Sequence, residues 1–168
     1  MPLIKDGQLT EDRWALLADD EPLPEAATPI IVSLERWQDD RAALTGYTGE
    51  LGVRLKSDQP PAEIAADIDR LGLVALEFPK FTDGRAYSYA RLLRERHGFG
   101  GEIRAVGNVL RDQLLFMQRC GIDAFEVDDR TAAHDWLEAF SEIRVFYQPT
   151  GDRRMPVSAL RHRRMAAE

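Results

Sequence analysis

Cysteine is nearly absent. Cys120 stands alone among 168 residues, so no internal disulfide can form and no four-cysteine iron–sulfur cluster can be held. Long apolar runs are absent too: none approaches the roughly 18–20 residues of a membrane span. The N-terminus lacks the basic start and apolar stretch of an export signal. His97, His134 and His162 lie far apart, with no partner at metal-ligand spacing. No glycine-rich nucleotide loop, Gly-Lys-Ser/Thr loop or Gly-x-Ser-x-Gly elbow occurs. The expectation is a bacterial-type cytoplasmic protein with no metal, no membrane partner and no cofactor motif.

Positive charge is short over most of the chain. The net charge is −7, and residues 153–168 hold five arginines against one glutamate, which leaves −11 on residues 1–152. An acidic body argues against nucleic acid as a partner. The basic stretch reads as a solvated tail, a docking strand or a contact for an acidic partner.

What is present is an alternation of strand and helix patterns centred on residues 72–127. Apolar runs at 73–78, 103–106 and 124–127 alternate with helical spacing at Ala86, Tyr89, Ala90 and Leu93, then at Leu110, Leu114 and Met117. Gly98 and Gly121 sit where helices should stop, and Gly72 is read the same way. Upstream, 30–34 and 52–56 read as strands, 38–44 as a helix, and Pro60-Pro61 as the first turn of another. A last helix runs through Trp136, Phe140 and Ile143 towards Tyr147, capped by Asp128 or Asp129. Asp6-Gly7 between two short apolar pieces predicts a hairpin, and 19–28 reads as an exposed linker. Residues 1–149 thus form a single α/β domain, with 1–28 as hairpin and linker and 150–168 as the basic tail.

Five strand–helix units predict a parallel sheet. Each strand carries a polar residue, namely Ser33, Arg54, Glu77, Arg104 and Glu126, whereas the central strands of a doubly wound sheet are near-continuous apolar runs. If strands follow sequence order, Arg54, Glu77, Arg104 and Glu126 form a ladder of alternating charge on one polar face, with Glu77, Arg104 and Glu126 in mutual contact. That describes a partial (β/α) barrel; a flavodoxin-like doubly wound order is the alternative. Arg94 is placed on the outer helix surface. The stretch 70–78 also echoes 119–127, as Arg, apolar, Gly, apolar, any, Ala, apolar, Glu, apolar.

Ligands in parallel α/β folds bind beyond the carboxyl ends of the strands. Glu35, Arg36, Lys56, Asp58, residues 80–85, Asn108, Arg111 and Asp128 fall there. Lys80, Arg85, Asn108 and Arg111 form a candidate anion site. The competing reading makes Asp83 and Asn108 helix caps and pairs the cations with nearby carboxylates. Cys120, on a last helical turn, reads as a small buried apolar residue rather than a nucleophile.

The runs Phe78-Pro-Lys-Phe-Thr-Asp-Gly-Arg-Ala-Tyr-Ser, Leu92-Leu-Arg-Glu-Arg, Ile103-Arg-Ala-Val-Gly-Asn-Val-Leu-Arg-Asp-Gln-Leu and Arg119-Cys-Gly-Ile-Asp-Ala-Phe-Glu resemble a bacterial family, domain-of-unknown-function family 934. Met1-Pro-Leu-Ile-Lys-Asp-Gly and Leu17-Ala-Asp-Asp are similar as well. The resemblance implies a role beside assimilatory sulfite reductase in sulfur assimilation, since genes of the family commonly lie next to that enzyme's. Members are sometimes labelled probable oxidoreductases, but that label brings no catalytic residue to any position here. The expectation is an accessory protein partnered with sulfite reductase or another sulfur-assimilation protein. The alternative is a barrel-like enzyme binding an anionic metabolite or flavin phosphate. Self-association into a homo-oligomer is left open.

Overall fold

A computed structural model describes residues 2–127, 133–143, 145–150 and 154–165. The chain opens with strands β1 (Leu3–Lys5) and β2 (Gln8–Thr10). They are joined by Asp6-Gly7 with φ of 51° and 73°, the backbone that a two-residue hairpin loop requires. The parallel strands follow: β3 (Ala15–Leu16), β4 (Ile30–Ser33), β5 (Leu51–Leu55), β6 (Leu71–Phe78), β7 (Glu102–Gly107) and β8 (Ala124–Glu126). Across the sheet the order is β2-β1-β8-β7-β6-β5-β4-β3, with β1 antiparallel to β8. From β3 to β8 the strands follow sequence order, and the sheet curls into a half-barrel. The flavodoxin-like alternative is therefore excluded. The five-strand expectation is also corrected: among the described residues the sheet has eight strands, because β3 extends one edge and the hairpin covers the other.

The period-two alternation of the strands sorts the two faces. Val32, Val53, Val74 and Ile103 stand in register, as do Leu55, Leu76, Ala105 and Phe125. All join the main core, which also takes Trp37, Ile64, Ala90, Leu93 and Met117 from the helical segments. The helices are α1 (Leu34–Asp39), α2 (Arg41–Gly46), α3 (Arg85–Arg91), α4 (Leu114–Arg119), α5 (Ala133–Glu142) and α6 (Val157–Met165). A 3₁₀ helix at Pro61–Arg70 connects β5 to β6, and a π turn at Leu92–Arg96 extends α3. Ser33 caps α1, its Oγ accepting the Arg36 N–H at 3.0 Å. Tyr147 lies beyond α5 and is exposed. The expected caps Asp128 and Asp129 lie outside the described residues.

One sequence reading changes. Gly72 does not stop a helix but lies inside β6. A Cβ there would stand 3.2 Å from the Trp14 ring, so glycine makes room for Trp14 on the concave face. Trp14 joins Ile31, Leu73, Ala75 and Val106 in a second small core on that face. The expected linker at 19–28 is exposed along most of its length; just before it Leu17 is buried, and Leu17 N–H donates to Ile31 C=O at 2.9 Å. Gly121 does end its helix in the left-handed region, at φ 103°.

Candidate functional site

The concave face carries the polar strand residues. Ser33, Arg54, Ala75, Arg104 and Ala124 stand side by side across β4 to β8. Glu77 and Glu126 lie two residues further along their strands. The echo between 70–78 and 119–127 acquires a meaning here. Its two alanines, Ala75 and Ala124, flank Arg104, and their small side chains leave space for a guanidinium. Its two glutamates project one step above.

The expected ladder divides into two groups. In the first, Arg104 is fully buried. Its Nε donates to Glu102 at 2.8 Å, and Nη1 and Nη2 donate to the two oxygens of Asp12 at 2.6 and 2.9 Å. Glu126 approaches to 3.6 Å, and Lys5 donates to the other oxygen of Glu102 at 2.7 Å. Burial works against the Asp12 carboxylate, but the Arg104 guanidinium and the Trp14 N–H outweigh it and hold Asp12 below its ordinary range. This group pins the segment between β2 and β3 across the open side of the sheet. In the second group, Nε and Nη2 of Arg54 both donate to Glu77 Oε2, at 3.2 and 3.1 Å. The expected Glu77–Arg104 contact is not made. The register places Glu77 two residues beyond both Arg54 and Arg104; Asp12 and Glu102 take the Arg104 guanidinium, and Glu77 pairs with Arg54.

Beside the second group, at the carboxyl ends of β4, β5 and β6, an open cleft of about 500 Å³ is lined by Ser33, Arg54, Lys56 and Glu77 from the sheet. Leu16, Leu17, Ala18, Asp19 and Glu21 form its other wall. That wall is held in place by Arg36, which donates to the carbonyls of Ala18 and Glu21, and by Ser33 Oγ, which donates to Asp19 Oδ1 at 2.6 Å. Lys56 Nζ lies 2.5 Å from Glu35 Oε1, and this hydrogen bond holds the Glu35 carboxyl below its ordinary range. Two cations and three carboxylates thus face one space, at the end of the sheet where parallel folds leave a crevice.

The expected anion site does not assemble. Arg85 turns back on Asp83 at 2.7 Å and donates to Ser57 Oγ at 2.9 Å, towards β5. Its hydrogen bond holds the Asp83 carboxyl well below its ordinary range. Arg111 turns the other way, onto Glu142 at 2.5 Å and the Asp135 carbonyl at 2.9 Å of α5. Asn108 does not open a helix: its side chain is exposed and its N–H donates to the Phe78 carbonyl. Lys80 is exposed. Local pairing, with Asp83 and Glu142 as the partners, takes both arginines.

Sequence reasoning missed Glu102, Asp12 and Asp19. Glu102 was within reach, since it stands two residues before Arg104 on the same strand face. Asp12 is 92 residues away from Arg104 in sequence and Asp19 is 14 away from Ser33, and no local pattern announces either contact. Among the described residues no group of three or more His, Cys, Asp or Glu is placed to hold a metal, and no helix is long and apolar enough to cross a membrane.

Comparison with curated proteins finds no match. Comparison with protein families matches residues 52–158, from β5 into α6, to a family described as a bacterial protein of unknown function. The match spans more than half of the chain and takes in Arg54, Lys56 and Glu77 of the cleft together with Glu102, Arg104 and Glu126 of the buried group, and on that ground the chain belongs to the bacterial family DUF934.

Proposed function

We propose that this protein is an accessory protein of assimilatory sulfite reduction that holds a small molecule by its anionic group in the cleft at the carboxyl ends of β4, β5 and β6. The observation that carries the ligand site is the cleft itself, with Arg54 near the end of β5 and Lys56 just beyond it both lining a space of about 500 Å³. That volume falls in the range of small-molecule sites, roughly 300–1,000 Å³. The pathway rests on the resemblance of the sequence to a family encoded beside sulfite reductase. A charge-assisted contact contributes about 1.5–3 kcal/mol, so two such contacts support micromolar to millimolar binding once the costs of association are met.

The volume also favours a second reading, in which a flavin phosphate occupies the cleft and the protein is a small oxidoreductase. Titration calorimetry of the full chain with sulfite, sulfate and flavin mononucleotide separates these readings. Saturable binding of sulfite or sulfate that is lost in Arg54→Met supports the accessory reading. Binding of the flavin, or a flavin absorbance band in protein purified from its own cell, supports the enzyme. Failure to co-purify with sulfite reductase or another sulfur-assimilation protein from that cell would count against the accessory partnership.

A further inference from the structure

The charges in the cleft come in both signs, and both signs are incompletely engaged. Arg54 spends Nε and Nη2 on a single oxygen of Glu77. Among the described residues, Arg54 Nη1 and Glu77 Oε1 make no hydrogen bond. Lys56 Nζ uses one of its three protons, on Glu35. Asp19, which lines the cleft, receives Ser33 on Oδ1, and among the described residues its Oδ2 makes no hydrogen bond. Arg54, Lys56 and Glu77 therefore line the sheet side of the cleft, and Asp19 lines its other wall.

A simple anion fits only half of this arrangement. It would meet Arg54 and Lys56, each already partly neutralised, and would lie close to Asp19, Glu21 and Glu77, where like charge repels it. An inorganic anion would also fill a small part of the volume and leave the Leu16 and Leu17 wall unused. A molecule with one anionic and one cationic end satisfies both sets at once, and a short apolar body between or beside them covers the leucines.

We infer that the ligand of this cleft is a small zwitterion of the amino-acid type, its acidic group held by Arg54 and Lys56 and its ammonium group by Glu77 and Asp19. This inference rests on the cleft being the ligand site, as proposed above, and narrows its ligand class.

The test is titration calorimetry of the full chain with the common L-amino acids, using pentanoate and butylamine as probes that each carry one half of a zwitterion. At least one amino acid should bind at least tenfold more tightly than either half-probe. Arg54→Met and Glu77→Gln should each weaken that binding at least tenfold. Lys56→Met, at the exposed rim, provides a third variant should removal of Arg54 impair folding, and it should weaken binding as well. If pentanoate or sulfite binds as tightly as every amino acid, the zwitterion is overturned while the anion site survives. If Glu77→Gln leaves amino-acid binding unchanged, the assigned ammonium site is overturned. If no amino acid, half-probe, sulfite, sulfate or flavin mononucleotide binds, both the zwitterion and the cleft fall.

Discussion

Replacing Arg104 by Met tests whether the concave face is held by charge pairing or by packing alone. Met keeps an apolar stem of similar length but removes every donor. Asp12 then loses both guanidinium bonds and keeps only the Trp14 N–H at 3.0 Å. Glu102 loses one partner and keeps Lys5 at 2.7 Å. Breaking a buried pair from one side costs about 3–5 kcal/mol. Because Glu102 keeps a cation and the Asp12 side chain is 26% exposed, the lower end applies, about 3 kcal/mol. With a urea slope of about 2 kcal/mol per molar, the unfolding midpoint should fall by about 1.5 M. The exposed Arg91–Glu95 pair within one helix provides the control, since removing such a pair costs about 0.3–0.5 kcal/mol. The acid limb adds a signed test. Asp12 is depressed in the folded state, so its contribution is complete above the unfolded carboxylate range, near pH 4, and is lost as pH falls through the lower folded value. In the variant Asp12 is partly desolvated without its cation, so protonation relieves it. The stability gap between wild type and Arg104→Met should narrow below about pH 4. A midpoint shift under about 0.5 M, or a gap that widens in acid, would refute the charge-clamp account.

Arg94→Met should be as damaging as Arg104→Met, contrary to its expected place on the outer surface. Arg94 donates to the carbonyls of Gly121, Phe99 and Gly101 and to Asp123, so a loss of about 3 kcal/mol should lower the melting temperature by roughly 6–12 °C; a drop under 2 °C would contradict this. Gly121→Ala should destabilise by more than about 1 kcal/mol in the same assay, because its φ of 103° is strained for alanine and the new Cβ would stand 2.6 Å from Cγ of the pinned Arg94. Cys120 is buried, and burial pushes its thiol up, so a disulfide reagent at neutral pH should modify it at least tenfold more slowly than in urea. Equal rates would show that the thiol is open.

The family, the α/β class and the succession of parallel strands were legible in sequence because they depend on local patterns. Alternation set Val32, Val53, Val74 and Ile103 on one face and Arg54, Glu77, Arg104 and Glu126 on the other. Asp6-Gly7 specified its hairpin through backbone sterics alone. The polar residues inside each strand pointed to a half-barrel rather than a doubly wound sheet, because a helix-covered face would bury those charges without partners. Partner choice was not legible. Glu77 is staggered by two residues from both Arg54 and Arg104, and it is the arrival of Asp12 from a distant segment, with Glu102, that occupies Arg104 and leaves Glu77 to Arg54. The same holds for Arg85 and Arg111, whose strand-end positions were readable but whose flexible side chains turn away from each other to Asp83 and Glu142. Gly72 shows the limit most plainly: its helix-stop context was local, while its role, making room for Trp14, exists only once the chain has folded back across the sheet. The cleft belongs to that second kind of information. Arg54, Lys56 and Glu77 were visible as polar strand residues, but the wall carrying Asp19 and Glu21 is set opposite them by Arg36 and Ser33, through contacts that form only in the tertiary structure.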